Sequence, residues 1–527
     1  MTDALHRICH TVNQSEEEIM FSKKNVSILL ILSVVTFIWA VDFATWVNDL
    51  HTDESISDEQ LYFSLKNRSN YAEPVEKDVL IQEFNNISEE LQAPFLYFIP
   101  PNYQPNEKTP LFVYLHGGVS MPTFIDGYFE QMKESPLLDI ARRDNSIMLF
   151  PMGNINTVWW SEAGMANIVY QVRFLKEKYN IDDDRVYLSG FSDGASASYN
   201  FGMKQPDDFA AFYPINGNML VGFGATGIPN YTTNLRNRYV RATNSDLDRL
   251  YPAEKMRKYV ETALKMKANI LYKEYWGYGH TYEYGSIDIP MLFEDISRQA
   301  RNVFQPHLYW ETAVSEFGKC DWLEITQIDT LRAKKDWHYH EVMTMSEESI
   351  AFGFVDDREA NVKGVKISQV IPRSVSAEAG LQEGDIIVAM DGKKTDTIEQ
   401  LLVIRDTKKR GDSFSLNIKR DGKKMKLNGE FPPIEYYKLF DYPEVSGAVE
   451  ATYFGNHFVI ESSRVGEFIL YINPEMINPK LPVKVTVNGV EVFEEIIEID
   501  RNYMIENYKI TKDRSALWTN KIILTTP

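Results

Sequence analysis

The stretch RVYLSGFSDGASAS, residues 185–198, decides the fold of the largest part of this 527-residue chain. It begins as a short apolar run typical of a buried strand and continues as a pattern typical of a helix. Between the two lies Gly190-Phe191-Ser192-Asp193-Gly194. A serine on a tight strand-to-helix turn points its hydroxyl out of the sheet, and the flanking glycines leave the room that side chains would fill. We therefore predict that Ser192 is a nucleophile.

Similar apolar runs on both sides of this stretch indicate a parallel sheet. FLYFIP, LFVYLHGG, IMLFP and AAFYPING are rich in β-branched and aromatic residues, and stretches of helical period, such as residues 166–179, lie between them. Strands that alternate with helices predict a doubly wound, mostly parallel α/β sheet covered on both faces. We place this α/β domain at residues 94–304, after a helical lead-in at residues 46–93.

The sequence Leu115-His116-Gly117-Gly118 follows one of these strands and is typical of an oxyanion-binding loop. Acyl transfer at a serine requires two N–H donors for the oxyanion. One donor is expected from Asp193, the residue after the nucleophile. The other is expected from Gly117 or Gly118, where the backbone can approach closely. We interpret His116 as a structural residue of this loop and not as the general base.

The base and the acid are expected after the serine in chain order. Between Ser192 and residue 304 the only histidine is His280, in WGYGHT. Two acids, Asp246 and Asp248, follow the strand-like run YVRAT; we favour Asp248 and keep Asp246 as the alternative. His280 would take the proton of Ser192 as that oxygen attacks a carbonyl. The acid would orient the imidazole, and water would then release the acyl group.

With these motifs, residues from about 94 to 302 resemble an α/β-hydrolase, closest to the esterase, polyhydroxybutyrate-depolymerase-like and feruloyl-esterase-like group. The stretch YNIDDDRVYLSGFSDGASAS is similar to that group's approach to its nucleophile. The resemblance implies a serine hydrolase that cleaves carboxylic esters with Ser192, Asp248 and His280, and that needs no cofactor.

Three further residues near these motifs affect the choice of substrate. Asp193 departs from the family pattern, because an acidic side chain directly after the nucleophile would disfavour anionic substrates. Trp159 and Trp160 follow the run IMLFP and are interpreted either as walls of a substrate pocket or as ordinary packing.

We expect no metal: His338 and His340 lack a nearby carboxylate cluster of suitable spacing, and we interpret them as solvent-facing strand residues.

The segment at residues 337–433 resembles a PDZ domain of the bacterial protease type. The resemblance is carried by Ala351-Phe352-Gly353-Phe354, by VIPRS followed by AGLQEGD, and by Asp391-Gly392. It implies that a peptide C-terminus adds as a strand while backbone N–H groups of the loop hold its carboxylate. An empty PDZ-like spacer is the alternative. Residues 361–430 carry 14 basic and 10 acidic residues, so this part of the module is basic in an acidic chain.

The sequences on both sides of this module indicate one small β-domain. WETAVSEFGKCDWLEI precedes the module, and HFVIES, EFILYI, VKVTVNG and KIILTT follow it, with a hairpin predicted at Asn488-Gly489. We therefore predict a β-domain at residues 305–336 and 434–527 that carries the PDZ-like module as an insertion, which is tolerable where the ends of a domain lie close together.

The N-terminal residues 1–45 are predicted to be a signal peptide or a membrane anchor. Lys23 and Lys24 precede an uncharged run from Asn25 to Val41, which is short for a membrane span and long for a signal core. Both readings place the rest of the chain in the cell envelope, periplasmic or extracellular. The net charge of −20 argues against nucleic acid as the main partner, and two cysteines exclude a disulfide-stapled fold.

Three hypotheses on function follow from these motifs. The first is an exported or membrane-anchored serine ester hydrolase with a peptide-binding module. The second is a serine peptidase of the same fold, because the motifs do not separate ester from amide and a PDZ-like module would suit peptide substrates. The third is an inactive hydrolase scaffold that serves as a binding protein. The first two predict a small ester or a peptide as the substrate.

Overall fold

The computed structural model of the protein describes residues 42–357 and 359–527. The apolar run at residues 25–41, with its predicted role as a signal or anchor, falls outside these residues. Within the described ranges, no helix combines the length and the apolar character that crossing a bilayer requires.

The helices and strands are named here in chain order. The helices are α1 (Phe43–Thr52), α2 (Asp58–Lys66), α3 (Tyr128–Lys133), α4 (Pro136–Asp144), α5 (Glu162–Lys178), α6 (Asp193–Lys204), α7 (Val221–Thr226), α8 (Ala253–Lys265), α9 (Gly285–Ile296), α10 (Val375–Glu378), α11 (Ile398–Arg405) and α12 (Arg501–Thr511). The strands are β1 (Leu80–Asn86), β2 (Gln92–Phe98), β3 (Thr109–Leu115), β4 (Ile147–Pro151), β5 (Ile181–Phe191), β6 (Ala211–Ile215), β7 (Tyr239–Ser245), β8 (Ile270–Tyr275), β9 (His307–Thr312), β10 (Lys319–Cys320), β11 (Leu323–Ile328), β12 (Met343–Glu347), β13 (Phe354–Asp356), β14 (Val365–Val370), β15 (Ile386–Met390), β16 (Lys393–Lys394), β17 (Ser413–Arg420), β18 (Lys423–Glu430), β19 (Glu435–Leu439), β20 (Gly447–Phe454), β21 (His457–Ser463), β22 (Val465–Ile472), β23 (Val483–Val487), β24 (Val490–Glu495) and β25 (Asn520–Thr525).

The first domain is built on an eight-stranded sheet with the order β1-β2-β4-β3-β5-β6-β7-β8. Strand β2 is antiparallel to β1 and to β4, and the other neighbours are parallel. This is the strand order of the α/β-hydrolase fold, so the predicted fold class of this domain is confirmed.

The parallel strands are apolar on both faces because each face is covered by helices. In β3, Leu111, Val113 and Leu115 pack into one core with α5, α6 and α8. Phe112 packs into a second core, on the opposite face, with α3, α4 and α9. The continuous apolar run LFVYL therefore follows from burial on two sides.

The predicted helical lead-in at residues 46–93 is helical only as far as Lys66. Residues 80–86 form β1, which pairs antiparallel with β2, and β2 itself begins at Gln92. The prediction was wrong here because β1 is an edge strand: most of its side chains are exposed or half-buried, so its composition is polar.

The β-domain consists of two sheets that pack on a shared core. One sheet has the order β10-β11-β22-β25, and the other has the order β24-β23-β21-β20-β9. Trp310, Trp322 and Phe468 lie in the core between them. The predicted hairpin connects β23 to β24, where Asn488 and Gly489 both have positive φ. Helix α12, which the strand-rich sequence did not indicate, packs its apolar face against α1.

The PDZ-like module is inserted into this β-domain, as predicted. Strand β9 before the module pairs with β20 after it, and β12 pairs with β19 to form a two-stranded stalk. The module's own sheet has the order β13-β14-β15-β17-β18. Met345 and Leu439 of the stalk lie in the same core as the hydrolase helices α5, α6 and α8. The stalk therefore attaches the module to the hydrolase as well as to the β-domain.

A buried group of charges joins the hydrolase to the C-terminal segment. The ammonium of Lys176, on α5, lies 2.8 Å from Asp513 Oδ2, 3.3 Å from Asp183 Oδ1 and 3.3 Å from Asp208 Oδ1. Every one of these side chains is at most 4% exposed. Burial alone would lower the pKa of Lys176, but the three carboxylates hold it above its usual range.

Two arginines complete this group. Arg301 donates to Asp513 at 2.9 Å, and Arg514 donates through Nε to Asp183 at 2.8 Å. Burial alone would raise the pKa of Asp513, but Arg301 and Lys176 hold it far below its usual range. We call this group the interdomain charge cluster; it comprises Arg173, Lys176, Asp183, Asp184, Asp208, Arg301, Asp513 and Arg514.

We expect Asp513→Asn to destabilise the protein by about 3–5 kcal/mol, because it leaves buried cations without their partner. Calorimetry at neutral pH should show a lower midpoint for the transition that unfolds the hydrolase and the β-domain. Asp139→Asn, which removes an exposed carboxylate beside Arg142, is the matched control and should leave the midpoint unchanged.

The stability difference between the wild type and Asp513→Asn is also expected to depend on pH. A carboxylate with a lowered folded pKa stabilises the fold above its unfolded pKa of about 4, and this contribution is lost as the pH falls. The difference in stability between the wild type and Asp513→Asn should therefore be full at neutral pH and narrow below about pH 4. A difference that stays constant over this range would contradict the assigned charge of Asp513.

Candidate active site

Ser192 lies on a strained turn between β5 and α6. β5 ends at Phe191 and α6 begins at Asp193, and Ser192 between them has φ 57° and ψ −114°. Positive φ is uncommon for a residue with a side chain and persists only where the surroundings enforce it. A Cβ on Gly190 would lie 2.4 Å from the carbonyl carbon of Gly194, so the turn closes only with glycine at that position.

His280 connects Ser192 to Asp248. Its Nε2 lies 2.8 Å from Ser192 Oγ, and its Nδ1 lies 2.8 Å from Asp248 Oδ2. The Asp248 carboxylate is fully buried, and its Oδ1 accepts the backbone N–H groups of Leu250 (2.8 Å) and Tyr251 (2.9 Å). One carboxylate oxygen is thus fixed by the backbone, and the other faces the imidazole. The structure brings the three predicted residues together in one hydrogen-bonded series.

The alternative acid, Asp246, has a different position. Its Oδ1 accepts the backbone N–H of Gly277 at 2.7 Å. Gly277 belongs to residues 276–281, which we call the histidine loop because it carries His280. Asp246 therefore holds the base of this loop, and Asp248 is the acid that contacts the imidazole.

A group of buried polar residues beneath the histidine loop was not identified from the sequence. The Asn216 amide donates to Ser245 Oγ at 3.1 Å and to the carbonyl of Thr281 at 3.0 Å. Ser245 Oγ donates in turn to the carbonyl of Gly279 at 2.7 Å, and the Tyr284 hydroxyl donates to Asn216 Oδ1 at 2.9 Å. These bonds fix the backbone on both sides of His280. Their partners lie on separate elements, so no local motif indicates them.

The predicted oxyanion residues lie beside Ser192. A Cβ on Gly117 would be 2.9 Å from the Cβ of Ser192, so the loop after β3 passes directly against Ser192. Asp193 is the first residue of α6, where a backbone N–H has no acceptor earlier in the helix. The Asp193 carboxylate accepts the N–H of Val119 at 3.0 Å. This acidic side chain, which departs from the family pattern, therefore connects the loop that contains Gly118 to the start of α6.

His116 and Trp159 support this loop from inside the core. His116 Nε2 accepts the N–H of Gly153 at 3.0 Å, so its Nδ1 carries the proton and donates to the carbonyl of Gly117 at 2.8 Å. Burial lowers the pKa of His116. The indole N–H of Trp159 donates to the His116 carbonyl at 3.0 Å, and its ring is fully buried. Trp159 is thus a packing residue, whereas the half-buried Trp160 remains a candidate for a pocket wall.

Exposed apolar side chains lie on the loops at this edge of the sheet. The carboxyl ends of β3, β4, β7 and β8 all point to the edge at which Ser192 lies, because these strands are parallel to β5 or to its neighbours. Large apolar side chains that are at least half exposed occur on the loops after these strands: Met121, Ile155, Leu247, Leu250 and Trp276. Apolar groups around a polar centre are typical of a ligand-binding surface.

The second predicted site is the loop at residues 351–354, which leads into β13 at the edge of the PDZ sheet. Gly353 has φ 78°, and a Cβ there would lie 2.3 Å from the Cβ of Ser374. The Gly353 carbonyl accepts the N–H of Ile371 at 2.9 Å, and Phe352 is buried in the module's core. The loop is thus anchored by its carbonyls and its aromatic ring, and the outer edge of β13 is free of another strand of the described residues.

The interpretation of His338 and His340 as solvent-facing residues was wrong. His338 is buried and His340 is half-buried, and the Nε2 atoms of both lie 2.8 Å from Oε1 of the buried Glu311. We call these three residues the junction cluster. The sequence did not reveal it because the carboxylate is on β9, which folding brings next to the segment that precedes the stalk.

Comparisons with known proteins agree with two different modules in this chain. Residues 343–430 match the family model described as PDZ domain, within the predicted module. A 128-residue stretch is 29% identical to the bifunctional acetylxylan esterase/xylanase XynS20E of Neocallimastix patriciarum, covering 24% of this chain and 18% of that protein. A 132-residue stretch is 32% identical to a probable periplasmic serine protease do/HhoA-like of Haemophilus influenzae, covering 22% of this chain and 28% of that protein.

A solved structure of a thermostable esterase also aligns with this chain, with a TM-score of 0.34 and 21% identity. It covers 42% of this chain and 64% of the esterase. The chain therefore spans only a part of each relative, and its α/β-hydrolase fold is established by its own strand order and crossovers.

The two aspartates give a direct test of this geometry. Asp248→Asn removes the charge that orients and stabilises the imidazole, so the reaction of Ser192 with a fluorophosphonate probe should slow by a factor on the order of 10⁴. Asp246→Asn is the matched control, because the amide oxygen can still accept the Gly277 N–H, and its labelling rate should stay close to that of the wild type. Equal losses in the two variants would contradict the assignment of the acid.

Proposed function

We propose that the protein is a serine hydrolase that cleaves carboxylic esters with Ser192, His280 and Asp248. The observation that carries this proposal is the continuous hydrogen-bonded series from the buried Asp248 carboxylate through His280 to Ser192 Oγ, with 2.8 Å at both contacts of the imidazole. The strained turn at Ser192 supports this proposal, because non-glycine residues with positive φ cluster at functional sites.

The reaction follows from this arrangement. His280 Nε2 takes the proton of Ser192 as Oγ attacks the ester carbonyl carbon. The oxyanion that forms is held by the Asp193 N–H and by the backbone at Gly117 and Gly118. His280 then gives its proton to the leaving alcohol, and an acyl-enzyme remains. Water attacks this ester, its proton passes to Nε2 and then to Oγ, and the acid is released.

The residues around the site favour an ester with an apolar part. The exposed apolar side chains on the neighbouring loops offer contact to an acyl chain or an aromatic ring, and Trp160 is a candidate wall of the same pocket. The Asp193 carboxylate, close to the nucleophile, disfavours a substrate that carries negative charge beside its carbonyl. The name of a relative, the acetylxylan esterase/xylanase, supports an ester as the substrate and says nothing on its apolar part.

The PDZ module is proposed to bind peptide C-termini, with residues 351–354 as the carboxylate-binding loop. The part of the module at residues 361–430, with 14 basic against 10 acidic residues, favours acidic C-termini. We also propose a location in the cell envelope. One ground is the apolar run that follows Lys23 and Lys24. The other is that a relative whose alignment covers 22% of this chain is named as a periplasmic protein. We keep the anchored and the cleaved forms as alternatives.

The nucleophile is tested with Ser192→Ala in the full chain. This variant should lose fluorophosphonate labelling and hydrolysis of short-chain p-nitrophenyl esters, with losses of at least about 10³-fold, because the attacking oxygen is missing. Ser297→Ala, which removes an exposed serine hydroxyl of the same domain, is the matched control. Unchanged hydrolysis in Ser192→Ala would disprove the proposal.

The full chain and its Ser192→Ala variant also distinguish between the esterase and the peptidase hypotheses. A panel of esters and peptides with equal acyl groups should show a clear preference for esters. Rapid cleavage of the peptides with loss in Ser192→Ala would instead establish a serine peptidase. No labelling and no hydrolysis by the wild type would favour an inactive scaffold.

Peptide binding by the module is tested with matched ligands. Fluorescent peptides with a free C-terminal carboxylate should bind the full chain, and their C-terminally amidated forms should bind at least about tenfold more weakly, since the loop N–H groups hold a charge. Peptides with acidic last residues should bind more tightly, with a preference that falls as salt is added. Equal binding of both forms, or none at millimolar concentration, would identify the module as a spacer.

A further inference from the structure

We propose that the junction cluster, Glu311, His338 and His340, binds a divalent transition-metal ion of the zinc class. The proposed ester hydrolysis makes no use of these residues. Among the described residues, they are the one group of histidine, cysteine or acidic side chains whose potential ligand atoms converge, all within 4.8 Å of one another.

The donor atoms already point to one centre. The Nε2 atoms of His338 and His340 both lie 2.8 Å from the same oxygen of Glu311, and Ser446 Oγ lies 2.7 Å from that oxygen. Zinc takes imidazole nitrogen and carboxylate oxygen at about 2.0–2.2 Å, which places tetrahedral ligand atoms about 3.3 Å apart. The two imidazole–carboxylate distances of 2.8 Å are therefore about 0.5 Å shorter than those around a tetrahedral ion.

Outer hydrogen bonds fix the orientation of these ligands. Ser463 Oγ lies 2.9 Å from Nδ1 of His338, and the second oxygen of Glu311 accepts the hydroxyls of Thr233 (3.2 Å) and Tyr309 (3.3 Å). Metal-binding histidines and carboxylates commonly have such partners, because these set the ring tautomer and direction. The ring of His340 stacks on Tyr231, with centroids 5.2 Å apart.

The charge of the site also calls for a cation. Glu311 is fully buried, and its Oε1 faces the Nε2 atoms of His338 and His340. Of the side chains described, only hydroxyls and these two imidazoles contact its carboxylate, and no lysine or arginine does. An ion between the imidazoles would supply the positive charge that a buried carboxylate requires.

The ligand types select the metal. Two imidazoles and one carboxylate are typical for zinc and its neighbours in the first transition series, whereas Mg²⁺ and Ca²⁺ prefer oxygen ligands. Side-chain exposures of 0% for His338 and 16% for His340 leave an approach for the ion from the His340 side. Ser446 or a water molecule would take the fourth position.

The location gives the ion a structural role. Glu311 belongs to β9 of the β-domain, His338 and His340 precede the stalk, and Ser446 follows it. Tyr231, which stacks on His340, belongs to the hydrolase. An ion at this position would clamp both ends of the inserted module to the two domains that carry it.

The test uses the full chain, purified without a histidine tag, stripped with a chelator and dialysed. Titration calorimetry with ZnCl₂ should show one site per chain, and Co²⁺ should give the intense visible absorption of a tetrahedral N/O site. His340→Gln should weaken zinc binding by more than about 100-fold, and Ser463→Ala, which removes an outer partner, by about 10- to 100-fold. His307→Gln removes an exposed histidine of the same strand, β9, and should bind like the wild type.

Thermal unfolding supplies a second measurement. Zinc should raise the midpoint of the wild type and of His307→Gln, and should leave His340→Gln unchanged, because a ligand stabilises only the form that binds it. The proposal would be overturned if the wild type bound neither zinc nor cobalt, or if His340→Gln bound zinc as tightly as the wild type. The junction cluster would then be a hydrogen-bonded group without a metal. Fluorophosphonate labelling of Ser192 should be the same in all variants, so this result is separate from the test of the hydrolase.

Discussion

The interdomain charge cluster is the constraint on which the arrangement of the domains depends. It places four basic side chains against four carboxylates, and all of them except Arg173 and Asp184 are at most 4% exposed. Removing one partner from such a group is costly, because the remaining charges stay buried without compensation. Asp513 and Arg514 lie between α12 and β25 of the β-domain, and Lys176 and Asp183 come from the hydrolase. The two domains are thus connected by an interaction that tolerates little relative movement.

This constraint reaches the site through β5. Asp183 lies near the start of this strand, and Ser192 follows its last residue, Phe191. The strand that leads to the candidate nucleophile Ser192 is therefore held at one end by Arg514 and at the other by the packed turn at Gly190. A second contact lies next to the stalk: the ring of Phe440, the residue after β19, lies 6.1 Å, between centroids, from that of Tyr259 on α8. Helix α8 follows the loop that carries Asp248, so the PDZ module and the acid are attached to one helix.

Much of the α/β-hydrolase fold and of the geometry of the candidate site could be predicted from the sequence, because the information is local. Gly190 to Gly194 form one turn, Gly117 and Gly118 follow one strand, and His280 is the only histidine in its region. The buried apolar strands also appear directly as runs of large side chains. The choice between Asp246 and Asp248 needed the structure, since both follow the same strand and only the hydrogen bonds separate them.

The features that the sequence did not reveal depend on partners far apart in the chain. Strand β1 is polar because it is an edge, and a polar stretch has no distinctive period. His338 and His340 had no visible acidic partner, since Glu311 lies on β9 and reaches them only after β9 pairs with β20. The role of Asp193 as an acceptor for Val119 is likewise set by the approach of two loops.

The insertion has a consequence for the order in which the chain acquires its structure. Thr312 of β9 pairs with Gly447 of β20, so the β-domain cannot close until the whole module has been synthesised. Bringing distant residues together costs entropy that rises with the length of the intervening segment. If the module and its stalk form first, they shorten this segment severalfold and remove about 1 kcal/mol from the entropic cost of joining the two strands. The inserted module would then act as an internal folding aid for the domain that holds it, quite apart from any peptide it binds.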